Sequence, residues 1–182
     1  ADLEPHTVHG SNIPSGMTLN WDSSNNYGIG KDNDQLLKLT LDVLSRASSK
    51  LSGTGLSLCE AVNYGFESNF DSGKLSWGST PQFLEACDYI IVMAYLNTME
   101  SVWSKSEGCL KAADKKESVS IAVKTAVNNS DSSTLQPKGW NYLLETMSYL
   151  VKKASSYASF RGIDMFTFEG LETMWEWEND KN

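Results

Sequence analysis

The apolar residues of this chain follow two periods, and segments of one period alternate with segments of the other. Residues 33–50 carry leucines on one broad helical stripe, and Asn33 or Asp34 is suited to begin that helix. Pro81, directly after Thr80, favours the start of a short helix because proline fits the first helical position. Further helical patterns cover residues 98–114, 140–159 and 171–178.

Short, mainly apolar segments lie between the helical segments and predict strands that are buried on both faces. They cover residues 56–62, 89–96, 118–127 and 162–168, while 5–32, 63–79 and 128–139 have the composition of loops. A helix separates each strand from the next, which is the pattern of repeated βαβ units and a parallel sheet. The sequence therefore predicts an α/β fold with right-handed crossovers.

Two parallel architectures fit this pattern, an open doubly wound sheet and a closed (β/α)8 barrel. The nucleotide-binding versions of the open sheet lose support because neither GxGxxG nor GxxxxGK[ST] occurs. A complete barrel typically has about 250 residues. This chain has 182 residues and offers four strands plus a stub at residues 1–4. If the fold is a TIM barrel, residues 1–182 form a single domain that is its second half, beginning at the end of the fourth strand.

The charge balance excludes several classes of partner. A net charge of −8 and a pI near 4.7 give a surface that repels nucleic acids and anionic membranes. The longest apolar run, residues 89–96, is far shorter than the roughly 20 residues of a membrane-spanning helix. Three cysteines without a CxxC spacing indicate free thiols rather than a disulfide framework. His6 and His9 lie in a loop-like segment without a cluster of partner ligands, so no metal site is predicted.

Asp2 and Glu4 form an Asp-x-Glu pair directly before Pro5. Residues two apart on a strand point to the same face, and the proline indicates that the strand ends there. Paired carboxylates at a strand end are suited to acid–base chemistry. The alternative interpretation is a solvated acidic N-terminus.

Polar residues at the carboxyl ends of the predicted strands are candidate binding residues, because ligand-facing groups of parallel barrels lie at that edge. They are Glu60, Asn63, Asn97, Asn128 and Glu169. Each has a structural alternative. Glu60 would be paired in the barrel interior, Asn63 and Asn128 would be turn residues, and Glu169 would cap the last helix.

The ordered set of segments resembles the family 18 glycoside hydrolases, the chitinase and endo-β-N-acetylglucosaminidase group. Asp2-Leu3-Glu4 is similar to the last three positions of the D-x-x-D-x-D-x-E motif at the end of that family's fourth strand. Residues 88–96, DYIIVMAYL, are similar to the sixth-strand pattern D-x-I-x-V-M-x-Y-D. Residues 161–166 are similar to the eighth strand, so the resemblance covers nearly the whole chain in family order.

The resemblance implies substrate-assisted, retaining cleavage of β-linked N-acetylglucosamine glycans, either chitin or the N-glycan core. Glu4 would protonate the leaving oxygen, and Asp2 would orient the substrate acetamido group and balance the oxazolinium charge. Tyr95 would hydrogen-bond the acetamido carbonyl oxygen. The chemistry needs no metal and no organic cofactor.

The same resemblance adds candidates for substrate binding. Met93 belongs to the M-x-Y pattern, and Trp21 and Tyr27 lie in the loop after the carboxylate pair, where aromatic rings suit sugar faces. Trp77 and Trp103 are weaker candidates of the same kind. Family members of this group imply an extracellular, secretory or periplasmic location.

Two other functional classes stay open. Leu96 and Thr167 stand where the family has an aspartate and a tryptophan, which favours a catalytically inactive, chitinase-like carbohydrate-binding protein. A flavodoxin-like module is the third interpretation. The barrel interpretation also predicts a structural partner, because a half barrel leaves strand edges and apolar side chains uncovered. That partner would be an N-terminal segment with three or four strands, on this chain or a second one, or another copy of the chain.

Overall fold

A computed structural model describes residues 1–5, 15–18, 21–22, 26–27, 31–127 and 132–179. Two short strands, β1 (Trp21–Asp22) and β2 (Asn26–Tyr27), pair antiparallel and precede the long helix α1 (Lys31–Leu51). Strands and helices then alternate: β3 (Cys59–Asn63), α2 (Gly65–Asp71), α3 (Thr80–Ala86), β4 (Tyr89–Met93), α4 (Met99–Ala112), β5 (Val119–Lys124), the 3-10 helix Gln136–Lys138, α5 (Gly139–Ala154), β6 (Phe160–Phe166) and α6 (Phe168–Asn179).

The central sheet has four parallel strands in the order in which they occur along the chain, β3-β4-β5-β6. The first residue of the chain extends this sheet beyond β3. The amino group of Ala1 donates to the carbonyl of Cys59, and the amide of Ala61 donates to the carbonyl of Ala1 at 3.1 Å. A residue whose N–H and C=O bond to positions two apart on its neighbour is paired parallel to it. Ala1 therefore lies beside β3 in parallel register, and Leu3 follows within reach of the Glu60 side chain.

The two faces of the sheet have different surroundings, because side chains alternate along each strand. On one face the buried strand residues belong to one apolar cluster with helix residues such as Leu44, Val102, Leu143 and Leu150. The strand members of that cluster are Val62, Ile90, Val92, Val119, Ile121 and Val123. Met93 and Ala122 alternate with them; both are buried but lie outside that cluster. The helices thus cover the first face.

Local capping explains where the helices after β3 and β4 begin. The Ser79 side chain and Gln82 form a reciprocal capping box ahead of α3, and Pro81 occupies the first turn. The hydroxyl of Thr98 accepts a hydrogen bond from the amide of Ser101 at 3.2 Å and caps α4.

The structure confirms the α/β class and the parallel βα units, and it corrects several boundaries. The strand expected at residues 56–62 begins only at Cys59, because Leu56 is 67% exposed and lies outside the sheet. The strand expected to reach residue 96 ends at Met93, where the amide of Ala94 turns back to the carbonyl of Val92 at 2.8 Å. β5 likewise ends at Lys124 rather than at residue 127, and α5 ends at Ala154 rather than at residue 159.

Two stretches expected to be loops contain secondary structure. Residues 63–79 include helix α2, and residues 5–32 include the β1–β2 pair. Helix α2 is too short to show a periodic apolar stripe, and it follows a turn in which the side chain of Asn63 accepts a hydrogen bond from the amide of Gly65 at 2.7 Å. His6, His9 and Asn128 lie outside the described residues.

The three cysteines are free thiols, as expected from their spacing. Cys87 and Cys109 are buried, and burial raises the pKa of each thiol to about 12. Within the described ranges, none of the helices combines the length and apolarity that crossing a bilayer requires.

Candidate functional site

The candidate site lies at the carboxyl edge of the sheet, where residues 1–5 pass the end of β3. Pairing of Ala1 with β3 fixes the start of this segment. The amide of Leu3 donates to the side-chain oxygen Oε1 of Glu60 at 2.8 Å. This bond holds the backbone two residues after Ala1. Asp2 is exposed and Glu4 is half-buried. Strand pairing therefore brings the Asp-x-Glu pair to the sheet edge predicted for ligand-facing groups.

The carboxyl group of Glu4 lies in an environment that favours its protonated form. Burial raises its pKa above the ordinary value, and the negative charge of Asp2 raises it further. An apolar cleft of 270 Å³ borders Glu4, between residues 3–5 and the first half of α1. Its walls include Leu3, Pro5, Leu36, Leu39 and Val43. A carboxyl group with a raised pKa beside an apolar wall has the properties of a general acid.

Tyr95 belongs to the same electrostatic environment. Burial raises the pKa of its hydroxyl to about 12, and the charges of Asp2 and Glu4 add to the shift. The phenol therefore stays protonated near neutral pH and remains a hydrogen-bond donor. Its ring stacks on Phe166 with centroids 5.6 Å apart and planes 20° apart. Because Tyr95 follows β4 and Phe166 ends β6, the stacked pair spans β5 between them.

Met93 and Asn63 occupy paired positions at the ends of β4 and β3. Both are buried, and Met93 is also in register with Ala122 of β5. Met93 thus lies two residues before Tyr95 at the same strand end. Asn63 has the structural role described above, since its side-chain oxygen closes the turn into α2.

Glu60 was expected at the carboxyl end of a strand, and the structure places it near the start of β3. It is the second residue of β3, in register with Ile90, and its exposed fraction is 0%. Burial raises the pKa of its carboxyl to about 7, against the lowering effect of the Leu3 amide and the Ala1 amino group. The side chain holds the segment that carries Asp2 and Glu4. Because its register partner Ile90 belongs to the apolar cluster under the helices, Glu60 lies on the helix-covered face and not on the face that would line a barrel interior, where its alternative interpretation had it paired.

Three of the remaining predicted residues lie on other elements, namely the connection after β4, helix α6 and strand β1. Asn97 is half-buried in the connection between β4 and α4. Glu169 is exposed in the first turn of α6, and its carbonyl accepts a hydrogen bond from the Thr173 hydroxyl at 2.9 Å. Trp21 pairs with Tyr27 through the backbone of β1 and β2. The folded structure groups Asp2, Glu4 and Tyr95, and the binding roles expected of Asn97, Glu169 and Trp21 stay predictions.

Trp77 and Trp103 pack within the fold. Trp77 is half-buried against the apolar cluster, with the Lys38 ammonium 5.0 Å from its ring centroid. Trp103 is also half-buried there and contacts Tyr157 at a centroid distance of 6.0 Å. Both rings therefore have packing partners that account for them. In the described part of the chain, no three histidine, cysteine or acidic side chains are grouped to hold a metal ion.

Two residues of this region were missed or misjudged from the sequence. The sequence does not indicate Phe166 as a site residue, because Phe166 reaches Tyr95 only when β4, β5 and β6 pair in the folded sheet. The hydrogen bond between Glu60 and Leu3 joins residues that are 57 positions apart, so no local sequence pattern predicts it. A single carboxylate inside an apolar strand was the available signal, since buried acids are rare unless paired.

Comparison of this chain with protein-family models, with curated proteins and with solved structures finds no match.

Proposed function

We propose that this chain is a glycoside hydrolase that cleaves β-linked N-acetylglucosamine glycans, such as chitin or the N-glycan core. The observation that carries the proposal is the convergence of Asp2, Glu4 and Tyr95 in one electrostatic environment at the carboxyl edge of a parallel sheet. Those are the three residues that the resemblance to family 18 enzymes assigns to catalysis. The raised pKa of the Glu4 carboxyl and the protonated phenol of Tyr95 support the proposal, because this chemistry needs a general acid and a hydrogen-bond donor.

The proposed reaction uses the substrate's own acetamido group as the nucleophile. Glu4 donates its proton to the glycosidic oxygen as the bond to the anomeric carbon breaks. Asp2 orients the acetamido N–H and balances the positive charge that forms on the oxazolinium ring. The hydroxyl of Tyr95 donates to the acetamido oxygen, and an oriented donor of this kind contributes on the order of 3 kcal/mol in other enzymes. Water then opens the ring with Glu4 acting as base.

We further propose that the sheet is part of a (β/α)8 barrel. Right-handed crossovers between strands in consecutive order put every helix on one face. Doubly wound sheets reverse their strand order at a switch point, and no reversal occurs among β3–β6. The apolar cluster with helix residues on one face supports this arrangement. The opposite face, with Met93 and Ala122, would line the barrel interior.

Exposed apolar side chains at both ends of the sheet support a structural partner. Leu3, Leu39 and Val43 are exposed beside residues 1–5, and Met165 and Phe168 are exposed at β6 and α6. Large exposed apolar surfaces mark interaction sites. The proposed occupant is a set of further βα units that pair with the outer strands, from an upstream segment or from another copy of the chain.

The test of the hydrolase proposal compares wild type with Glu4→Gln on a chitin oligomer and on an N-glycan. Glu4→Gln removes the transferable proton and keeps the shape, so hydrolysis is expected to fall at least about 100-fold. Glu145→Gln, at an exposed position of α5, is the matched control and keeps full activity. Equal rates for Glu4→Gln and wild type, or no hydrolysis by wild type, contradict the proposal.

A second candidate is an inactive barrel that binds sugar. Leu96, directly after Tyr95, is half-buried against the apolar cluster, so this position offers no carboxylate to the site. Glycan binding by wild type without any turnover favours this candidate over the hydrolase.

A further inference from the structure

Helix α1 carries two stripes of side chains, and the apolar cluster between sheet and helices uses only one of them. Leu37, Leu41 and Leu44 are buried in that cluster. The second stripe, called the outer stripe here, follows the helix at alternating steps of four and three positions. Its members are Asp32, Leu36, Leu39, Val43, Arg46 and Lys50. A stripe with this spacing stays on one side of a helix and is typical of helices that pair with another helix.

The middle of the outer stripe is an exposed apolar surface. Leu39 is 41% exposed and Val43 is 52% exposed, and Leu36 is half-buried beside them. On the opposite flank of α1, the carboxylate of Asp34 accepts the backbone amide of Trp77 at 2.9 Å, so the loop before α3 covers that flank. The outer stripe therefore faces away from α3 and its loop.

The two ends of the outer stripe carry opposite charges. Asp32 lies in the first turn of α1 and is half-buried, and its Oδ2 accepts the amide of Thr18 at 2.7 Å. Lys50 lies in the last turn, one turn after Arg46, and both basic residues are exposed. An acidic start and a basic end make the stripe complementary to a copy of itself that runs in the opposite direction.

We propose that the outer stripe is an interaction surface that binds the outer stripe of a second copy of this chain, with the two α1 helices antiparallel about a two-fold axis. At the register that superposes the stripes, apolar residues meet in the middle and opposite charges meet at the ends. The pairs are Leu39 with Val43, Leu36 with Arg46, and Asp32 with Lys50 of the second copy. Each pair forms twice, because a two-fold interface brings residue i to residue j and residue j to residue i. The apolar stem of Arg46 covers Leu36 while its guanidinium stays in water.

The charge pattern favours a second copy over an upstream βα unit at this end of the sheet. Helices that follow successive strands of a parallel sheet run in the same direction, so a neighbour from an upstream unit would not need opposite charges at the two ends of α1. An antiparallel copy uses both charged ends. The inference does not rest on the hydrolase chemistry, and a flank covered by an upstream unit is the competing outcome.

Sedimentation velocity of the whole chain in about 0.15 M salt tests the proposal, because this ionic strength screens the long-range repulsion between copies of net charge −8. At a chain concentration on the order of 100 µM, wild type is expected to sediment as a dimer of twice the 20.1 kDa chain mass. Leu39→Glu puts a carboxylate opposite Val43 at both equivalent contacts, and it should raise the dissociation constant at least about 100-fold. Leu144→Glu is the matched control, because Leu144 is 43% exposed on α5 and lies outside the stripe. It should keep the wild-type dissociation constant.

A charge exchange tests the antiparallel register. Asp32→Lys puts two lysines together and Lys50→Asp puts two aspartates together, so each change should raise the dissociation constant at least about five-fold. The double variant restores opposite charges at both ends and should return to within about two-fold of wild type. Both Asp32→Lys and the double variant lose the Thr18 contact, so this loss does not produce the recovery. Parallel helices would pair Asp32 with Asp32, and the exchange would then restore nothing.

Three results would overturn the proposal: a wild type that is monomeric at every concentration, a dimer that Leu39→Glu leaves intact, or a double variant no better than its parent variants. If Leu39→Glu does not fold, the charge exchange decides, because it changes only the charged ends of the stripe. The glycan assay is independent of this measurement. A dimer without hydrolysis keeps this inference and removes the proposed function, and hydrolysis by a monomer does the reverse.

Discussion

The Tyr95 side chain combines a fixed aromatic ring with a hydroxyl that stays protonated. Its ring is held by the stack on Phe166, and its hydroxyl remains a donor because burial and the nearby carboxylates oppose its ionisation. A fixed ring with a protonated hydroxyl is an oriented donor, which holds the acetamido oxygen in position for attack without reorganising during the reaction. The residue therefore supplies orientation and donor character together.

Tyr95→Phe separates these two contributions. The ring and its stack on Phe166 are kept, so the thermal midpoint should change little. Loss of the hydroxyl should lower kcat for glycan hydrolysis by about 100- to 1,000-fold, as removal of single oriented donors does elsewhere. Tyr149→Phe on α5 is the control, because Tyr149 packs beside Lys153 and not at the sheet edge. Unchanged kcat in Tyr95→Phe would assign Tyr95 a packing role only.

At the scale of elements, the sequence predicts the helices and strands that have a periodic apolar pattern. It does not predict boundaries and short elements that are set by tertiary contacts. The long helices α1, α4 and α5 and strands β4 and β5 follow directly from apolar spacing. Strand ends are less predictable, because an apolar residue such as Leu56 can precede a strand without belonging to it. Helix α2 has only seven residues and depends on the turn at Asn63.

For the candidate site, too, the sequence predicts the residues but not the contacts that bring them together. Asp2, Glu4 and Tyr95 are visible in the sequence because each belongs to a short pattern next to a strand. The contacts that arrange them are not visible, because Glu60–Leu3 and Tyr95–Phe166 join distant segments. The pairing of Ala1 with β3 and the Leu3–Glu60 hydrogen bond bring the carboxylate pair close to Tyr95.

The packing of α6 on β5 depends on a glycine. A Cβ atom on Gly170 would lie 1.7 Å from the carbonyl oxygen of Thr125, which is backbone and cannot rotate away. Helix α6 follows β6 directly and brings Gly170 against this backbone. The close approach therefore requires the absence of a side chain.

Gly170→Ala is expected to push α6 away from β5 and to lower the free energy of unfolding by about 1–3 kcal/mol, the usual cost of overpacking. Gly162→Ala is the matched control, because a Cβ at Gly162 in β6 has no heavy atom within 4 Å. Urea unfolding followed by circular dichroism measures both variants. Equal midpoints for Gly170→Ala and wild type would show that α6 does not pack this closely in solution.

At the scale of the whole molecule, two features favour mildly acidic conditions. The net charge of −8 at pH 7 means that self-repulsion decreases towards the pI near 4.7. The buried acids act in the same direction, since burial raises the pKa of Glu60 to about 7 and raises that of Glu67 above its ordinary value. Side-chain hydrogen bonds from Lys111 and Tyr157 lower the pKa of half-buried Glu107, which therefore affects stability only below the ordinary carboxyl pKa and does not oppose this trend at higher pH.

The sign of the resulting pH dependence follows from proton binding. Between the ordinary carboxyl pKa of 4.5 and the raised value of about 7, the folded state retains protons at Glu60 that the unfolded state has lost. The free energy of unfolding therefore falls as the pH rises through this window, and the loss is complete above it. From pH 5 to pH 8 the expected decrease is on the order of 1–3 kcal/mol.

Urea midpoints of wild type and Glu60→Gln at pH 5 and pH 8 measure this effect. Glutamine does not titrate, so the variant should lose most of the difference between the two pH values, and what remains reports Glu67 and the general charge. Glu145→Gln, exposed on α5, removes one negative charge without removing a buried acid and should keep the wild-type difference. A wild type that is more stable at pH 8 than at pH 5 would mean that Glu60 is hydrated in solution, and the hold on residues 1–5 would then have to come from the Ala1 pairing with β3 alone.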